Sequence, residues 1–199
     1  MQTIAITGGN GGLGTAVVER LSRDYRCVVL DRAQMDVTNE ESVRRAFSNL
    51  GDLYAVVHLV GGFAAGSLAD TTSETWSRML DLNLTAAFLT MREALPRLTR
   101  PGRIVAVSSI ATLTASGGTV AYSVSKSALN ALVQSVAAEH RGSGLTINAV
   151  LPDAMATPAM LKEMDRSQLV PLERVVETIA FLLSDAAAGI TGTLIPIRK

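Results

Sequence analysis

The sequence predicts an α/β fold, a parallel β-sheet held between two layers of helices. Three observations carry this. Short apolar runs of strand length recur along the chain and alternate with stretches of helical periodicity. Most of these runs are apolar at nearly every position, as strands buried on both faces require. The first run passes through a glycine-rich turn directly into a helix. The prediction is a doubly wound sheet in a three-layer α/β/α sandwich.

The first element is the strand Thr3-Ile4-Ala5-Ile6, followed by Thr7-Gly8-Gly9-Asn10-Gly11-Gly12-Leu13-Gly14 and a helix from Thr15. Strand, glycine turn and helix start form one arm of a dinucleotide-binding βαβ unit, so the sandwich is of Rossmann type. Glycine adopts positive φ without steric cost and lets a pyrophosphate approach the main chain. The helix start offers that anion unpaired N–H groups and the positive end of a dipole. The turn fits both Gly9-x-Gly11-x-x-Gly14 and Thr7-Gly8-x-x-x-Gly12-x-Gly14. Gly8, Asn10, Gly11, Gly12, Leu13 and Gly14 are therefore candidate cofactor contacts.

Cys27-Val28-Val29-Leu30-Asp31 is the second strand, ending in a carboxylate seventeen positions after Gly14. An acid there accepts hydrogen bonds from the adenosine ribose hydroxyls and repels a 2′-phosphate, which favours NAD(H). Arg32 follows at once, and a guanidinium accommodates that phosphate, which keeps NADP(H) open. Met35-Asp36-Val37 comes too soon for a crossover helix. It reads as a third strand joined by a loop, an abbreviation of the usual unit. Thr38-x-x-Glu41 reads as a capping box for the next helix. Leu53 through Val60 is another buried strand, running into Gly61-Gly62. His58 within it reads as a core histidine rather than a base.

Thr71-x-x-Glu74 reads as a second capping box, opening a long helical segment through Leu95, with Pro101-Gly102 as a sharp stop. Gly102 to Val107 is a strand ending at Ser108-Ser109. A helix covers about 120–140, Leu145 to Leu151 is a strand closed by Pro152, and Pro171 suits the first turn of a helix to about Leu183. Gly192 to Ile197 contains Pro196 and reads as an edge strand.

Length and composition agree with a single dinucleotide-binding domain over 1–199, with 48% hydrophobic and 18% charged residues. Lys+Arg and Asp+Glu both count 18, so nothing marks a nucleic-acid-binding surface. Apolar runs break within about ten positions, short of a membrane span. The N-terminus reads as a strand without a basic region or cleavage site ahead of it. With Cys27 the only cysteine, the expectation is a reducing, cytoplasmic setting and no internal disulfide.

Tyr122-x-x-x-Lys126 puts phenol and ammonium on one helix face. A nearby cation stabilises phenolate and lowers the tyrosine pKa from ~10, which suits an acid–base serving an alcohol/carbonyl pair. The glycine turn, Asp36-Val37, Asn83, Ser109, this pair and Pro152 through Thr157 stand in the order and spacing of the short-chain dehydrogenase/reductases. The chain resembles that family over essentially its whole length. The resemblance implies Tyr122 as proton donor or acceptor, with Lys126 on the nicotinamide ribose and Ser109 on the substrate oxygen. It implies that Asn83 holds a relay water, that Asp36 and Val37 touch the adenine, and that Thr157 meets the nicotinamide carboxamide. Gly61, Gly62 and Pro152 join the cofactor-binding positions, and no metal is called for. Ser108 is the lesser candidate beside Ser109.

Two positions depart from the family pattern. Leu59-Val60-Gly61-Gly62 replaces its Asn-Asn-Ala-Gly, and Asp153 replaces the glycine after the proline. The short connection after Asp31 and the Gly61 to Gly66 stretch resemble the dihydropteridine reductase branch, which generally lacks the serine present here as Ser109. The expected activity is interconversion of a carbonyl, or a related C=N group, with an alcohol or amine by hydride transfer. A pterin reductase and a non-catalytic dinucleotide sensor are the alternatives. Ala154 to Val170 would form a lid, with Met155, Met160, Leu161 and Met164 as pocket lining or plain packing. Relatives commonly pair the helices around 84–98 and 120–138. Ala86, Ala87, Leu89, Ala128 and Ala131 suit such a homodimer or homotetramer.

Overall fold

The computed structural model describes residues 1–114 and 117–199. In chain order the elements are β1 (Thr3–Thr7), α1 (Gly14–Leu21), β2 (Arg26–Leu30), α2 (Glu40–Ser48), β3 (Leu53–His58) and α3 (Ser73–Leu80). They continue with α4 (Ala86–Ala94), β4 (Leu98–Val107), α5 (Val120–Glu139), β5 (Leu145–Pro152), α6 (Leu172–Leu183) and β6 (Leu194–Ile197). The six strands form one parallel sheet in the order β2-β1-β3-β4-β5-β6. The chain winds outward from β1 to β2 and then returns to β3. The topological switch point therefore lies between β1 and β3, and a crevice opens at the carboxyl ends of these strands.

Each face of the sheet is covered by helices, which is why the strands read as continuous apolar runs. Val43 and Phe47 of α2, Leu89 and Met91 of α4, and Leu129 and Val133 of α5 pack on Val56, Ile104 and Ile147. On the other face Val17 and Leu21 of α1 join Val175, Ile179 and Leu182 of α6 over Ile4, Ile6, Val105 and Val150. Every residue of β3 and of β5 is buried. Phe47 is fully buried, so Phe47→Ala would cost about 3–5 kcal/mol.

Four expectations about local structure are corrected. Met35-Asp36-Val37 is not a strand. The chain turns after Asp31, whose carbonyl accepts from the N–H groups of Gln34 and Met35 at 3.0 and 2.8 Å. Met35 then drops into the core, leaving β2 as the sheet edge. Both caps sit one residue later than the capping boxes placed them. Asn39 accepts from Ser42 N at 2.9 Å, and Thr72 accepts from Thr75 N at 3.1 Å. The expected cap hydroxyls are committed elsewhere, Thr38 to the Asp36 carboxylate and Thr71 to the Ser67 carbonyl. Lastly, β4 begins at Leu98 and runs through Pro101. The register with β3 shifts there and the pairing with β5 starts only at Gly102, so the proline removes no ladder bond.

The long helix after β3 is interrupted. Asp81–Thr85 forms a π-turn between α3 and α4, and Asn83 at its centre is fully buried. A helix widened by one residue turns a side chain inward at a position that a regular helix would aim elsewhere.

Candidate active site

The glycine turn closes tightly on itself. Gly8 has φ +74°, donates to Leu30 O at 3.2 Å, and accepts from Gly11 N at 3.1 Å. A Cβ on Gly14 would lie 2.2 Å from Gly8 O, so the helix can start there only without a side chain. Leu13 is buried and leads into α1. Gly12 faces Thr157 from the segment after β5, with Thr157 Cβ 3.1 Å from where its own Cβ would stand. The two ends of the crevice are thus joined across the turn. Thr157 Oγ1 accepts from Met160 N at 3.3 Å, and Pro152 is buried at the end of β5.

At the β2 end, the Asn10 amide donates to the Asp31 carboxylate, whose other oxygen accepts from Ala33 N at 2.9 Å. Arg32 lines a cavity of about 380 Å³ with Thr38 and, from α3 and the π-turn, Glu74, Ser77, Arg78, Asp81 and Leu82. Asp36 accepts from Thr38 N and Oγ1 at 3.0 and 2.7 Å, which holds its carboxyl below the usual range. Val37 is half-buried against the core.

The remaining candidates converge beyond β3 and β4. Asn83 grips the Gly62 peptide both ways, accepting from its N–H at 2.9 Å and donating to its carbonyl at 3.0 Å. Its amide also donates to Ser125 Oγ at 3.0 Å, and Ser125 donates to Tyr122 O at 2.8 Å. Both amide hydrogens are used within the protein, so Asn83 ties the loop after β3 to α5. Lys126 is buried and donates to Val107 O at 2.9 Å. Gly61 fits between them: a Cβ there would lie 2.7 Å from Asn83 Oδ1 and 2.8 Å from Lys126 Nζ. Ser109 stands by the Tyr122 phenol, favouring its ionised form, and accepts from Ala111 N at 3.3 Å. Ser108 instead donates to Lys126 O at 3.4 Å, a structural role.

Burial sets the electrostatics. It pulls the Lys126 ammonium down to about 8. It pushes the Tyr122 phenol above its usual range, opposed by the Ser109 hydroxyl. The expected lowering of Tyr122 by Lys126 is therefore not observed, because desolvation outweighs any help and the ammonium is turned to a main-chain carbonyl. His58 is the core histidine the sequence implied. Its Nδ1 lies 2.9 Å from Thr7 Oγ1, its Nε2 has no partner among the described residues, and burial followed by the Lys126 charge takes its pKa to about 3.

Two site residues escaped the sequence reading. Ser125 carries no signal beyond its position beside Lys126. Phe63 does, as the one large apolar residue in a run of small ones, and its ring meets Tyr122 edge-on with centroids 5.0 Å apart. The lid residue Met155 is core packing, bridged to Val170, whereas Leu161 is exposed. Ala86, Ala87 and Leu89 are buried in the protein's own core and cannot face a second copy. Among the described residues, no helix is long and apolar enough to cross a membrane.

The family model described as Enoyl-(Acyl carrier protein) reductase matches residues 2–198. A 3-oxoacyl-[acyl-carrier-protein] reductase of Aquifex aeolicus is 30% identical over 98% of this chain and 86% of its own. A crystal structure of a short-chain dehydrogenase/reductase family oxidoreductase from Burkholderia thailandensis superposes with TM-score 0.87 at 29% identity, covering 99% of this chain and 91% of that one. A short-chain dehydrogenase from Burkholderia cenocepacia in complex with NADP gives TM-score 0.88 at 25% identity, covering 99% and 96%. These relatives favour neither the pterin-reductase nor the sensor alternative. The match across the whole sheet and its crevice makes this chain a member of the short-chain dehydrogenase/reductase family, an NAD(P)-dependent oxidoreductase that interconverts carbonyl and alcohol.

Proposed function

We propose that Tyr122 is the proton donor and acceptor of this reaction, with Ser109 as second donor to the substrate oxygen and NAD(H) as the preferred cofactor. The observation that carries this reading is the convergence of Ser109, Tyr122, Lys126 and Asn83, from three segments, at the carboxyl end of the sheet. The crevice fits a dinucleotide. The glycine turn has no room for a Cβ at Gly14, and Gly61 leaves main chain open beside Lys126. Gly8, Asn10, Gly11, Gly12, Leu13 and Gly14 would hold the pyrophosphate half, and Asp31, Asp36 and Val37 the adenosine half. Gly61, Gly62, Pro152 and Thr157 would border the nicotinamide half. The cofactor, when bound, supplies or accepts the hydride.

Every other task falls to side chains. As a carbonyl is reduced its oxygen gathers negative charge, and two hydroxyl donors aimed at that oxygen stabilise it. The raised Tyr122 pKa keeps the phenol protonated near neutral pH, ready to donate. Lys126, whose ammonium lies at Val107 O beside Gly61, would hold the nicotinamide ribose. Asn83 works as a positioning residue, because its amide fixes the Gly62 peptide and, through Ser125, the first turn of α5. Asp31, held by Asn10 and Ala33 N, supports NAD(H), while Arg32 beside an open cavity is the feature that would admit NADP(H). The setting of this reading is cytoplasmic. A homodimer would pair the exposed Phe88 of α4 and Val124 of α5 with their counterparts in a second copy.

Steady-state kinetics on a ketone panel with NADH and NADPH tests the reading. Ser109→Ala is expected to lower kcat by roughly 10²–10³-fold, the scale of one lost oxyanion donor. Full activity of Ser109→Ala would remove the second donor from the mechanism. A higher kcat/KM with NADPH than with NADH would assign cofactor choice to Arg32.

A further inference from the structure

We infer that Phe63 selects the substrate, favouring an uncharged ketone or aldehyde with an aromatic ring next to its carbonyl carbon. The inference rests on Tyr122 receiving the substrate oxygen. Phe63 is 65% exposed, yet its ring is held against Tyr122 at 5.0 Å between centroids and 70° between planes. Exposure here is not looseness. On one side the Gly62 peptide is clamped by Asn83 at 2.9 and 3.0 Å. On the other, Gly66 N donates to Gly118 O at 2.7 Å, and Gly66 bridges to Thr119, just ahead of α5 and Tyr122. The segment also presses on the π-turn, since a Cβ on Gly62 would lie 2.8 Å from Leu82 Cδ1. An aromatic side chain fixed at both ends, with most of its surface facing outward, is a preorganised platform.

Geometry sets what the platform meets. A carbonyl oxygen at the Tyr122 hydroxyl leaves the substituents of its carbon within reach of a ring packed on the same tyrosine. Aromatic rings gain from such edge and offset contacts beyond simple burial. The two segments around the ring carry little charge, which favours an uncharged substrate. From Leu59 to Thr71 the only charged residue is Asp70, and from Ser108 to Ser125 there is none. Exposed Leu113, after β4, and Leu161, after β5, extend the apolar border at the same end of the sheet.

The test compares acetophenone with butan-2-one, by turnover and by binding. The ratio of their kcat/KM values is expected to fall about 10-fold in Phe63→Ala and to recover in Phe63→Tyr. Leu68→Ala, in the same loop, is expected to leave the ratio unchanged. Calorimetry on protein saturated with NAD⁺ should show acetophenone binding that weakens by a similar factor in Phe63→Ala. An unchanged ratio with turnover intact overturns the role of Phe63 and leaves the carbonyl reading standing. Phe63-dependent acetophenone binding without turnover of any ketone sustains the platform and overturns the carbonyl reading. Absence of both overturns both.

Discussion

The protein carries a tyrosine and a buried cation at each end of the sheet, and the two tyrosine hydroxyls are held differently. At the carboxyl end stand Tyr122 and Lys126. At the opposite end Arg103 of β4 is 1% exposed, with its guanidinium 5.7 Å from the Tyr54 ring centroid. Tyr54 in turn stacks on Tyr25 and donates its hydroxyl to Leu183 O at 2.5 Å. Burial raises the phenol of Tyr54 just as it raises that of Tyr122. The difference lies in what holds each hydroxyl. Tyr54 is spent on the Leu183 carbonyl, which also accepts from Tyr25 at 3.5 Å. Tyr122 has beside it Ser109, a hydroxyl that can turn to a substrate oxygen at little cost. Residue types are shared between the two ends, but replaceable partners occur at one end only.

Three measurements would break or sharpen this contrast. The largest effect belongs to Tyr122→Phe, which keeps the ring on Phe63 but removes the proton. Its kcat should fall 10²–10⁴-fold with cofactor affinity retained, whereas Tyr54→Phe should turn over at the wild-type rate. Equal losses in the two variants would erase the distinction.

The second effect is a pH slope in stability. The Lys126 pKa is about 8 in the fold, below the ~10.4 of an unfolded chain. Below pH 8 both states carry the proton and the fold bears the full cost of a buried charge. Above it the folded state releases the proton first, so stability rises with pH. Between pH 8 and 9.5 wild type should gain about 1.5 kcal/mol relative to Lys126→Met. Higher pH is less informative, because the raised tyrosines then destabilise the fold. Urea midpoints across that window give the answer, and parallel curves would place Lys126 in a wetter site.

The smallest effect is at the closed end. Tyr54→Phe leaves Leu183 O only the longer bond from the Tyr25 hydroxyl at 3.5 Å and should cost about 1 kcal/mol, read as a lower urea midpoint. Tyr122→Phe, with only the Ser109 hydroxyl to lose, should cost less. A reversed order would mean that the open end is the more tightly held.

The residues alone determined the features that depend on near neighbours. Glycine spacing between a strand and a helix defined the crevice floor at Gly8 to Gly14. Uninterrupted apolar runs marked strands covered on both faces. The four-residue step from Tyr122 to Lys126 set both on one turn of a helix. Each is a statement about a window of a few residues, where backbone geometry leaves little choice. Tertiary structure decided the rest. Asn83 meets Gly62 and Ser125 because a π-turn rotates it inward, and Phe63 meets Tyr122 because both loop ends are tied down. Met35 left its expected strand for the core, and Ala86, Ala87 and Leu89 faced their own sheet rather than a partner. The sign of the Tyr122 shift also waited on the fold, since desolvation depends on everything packed around a group. Such contacts join residues tens of positions apart, and no local window of sequence contains both partners.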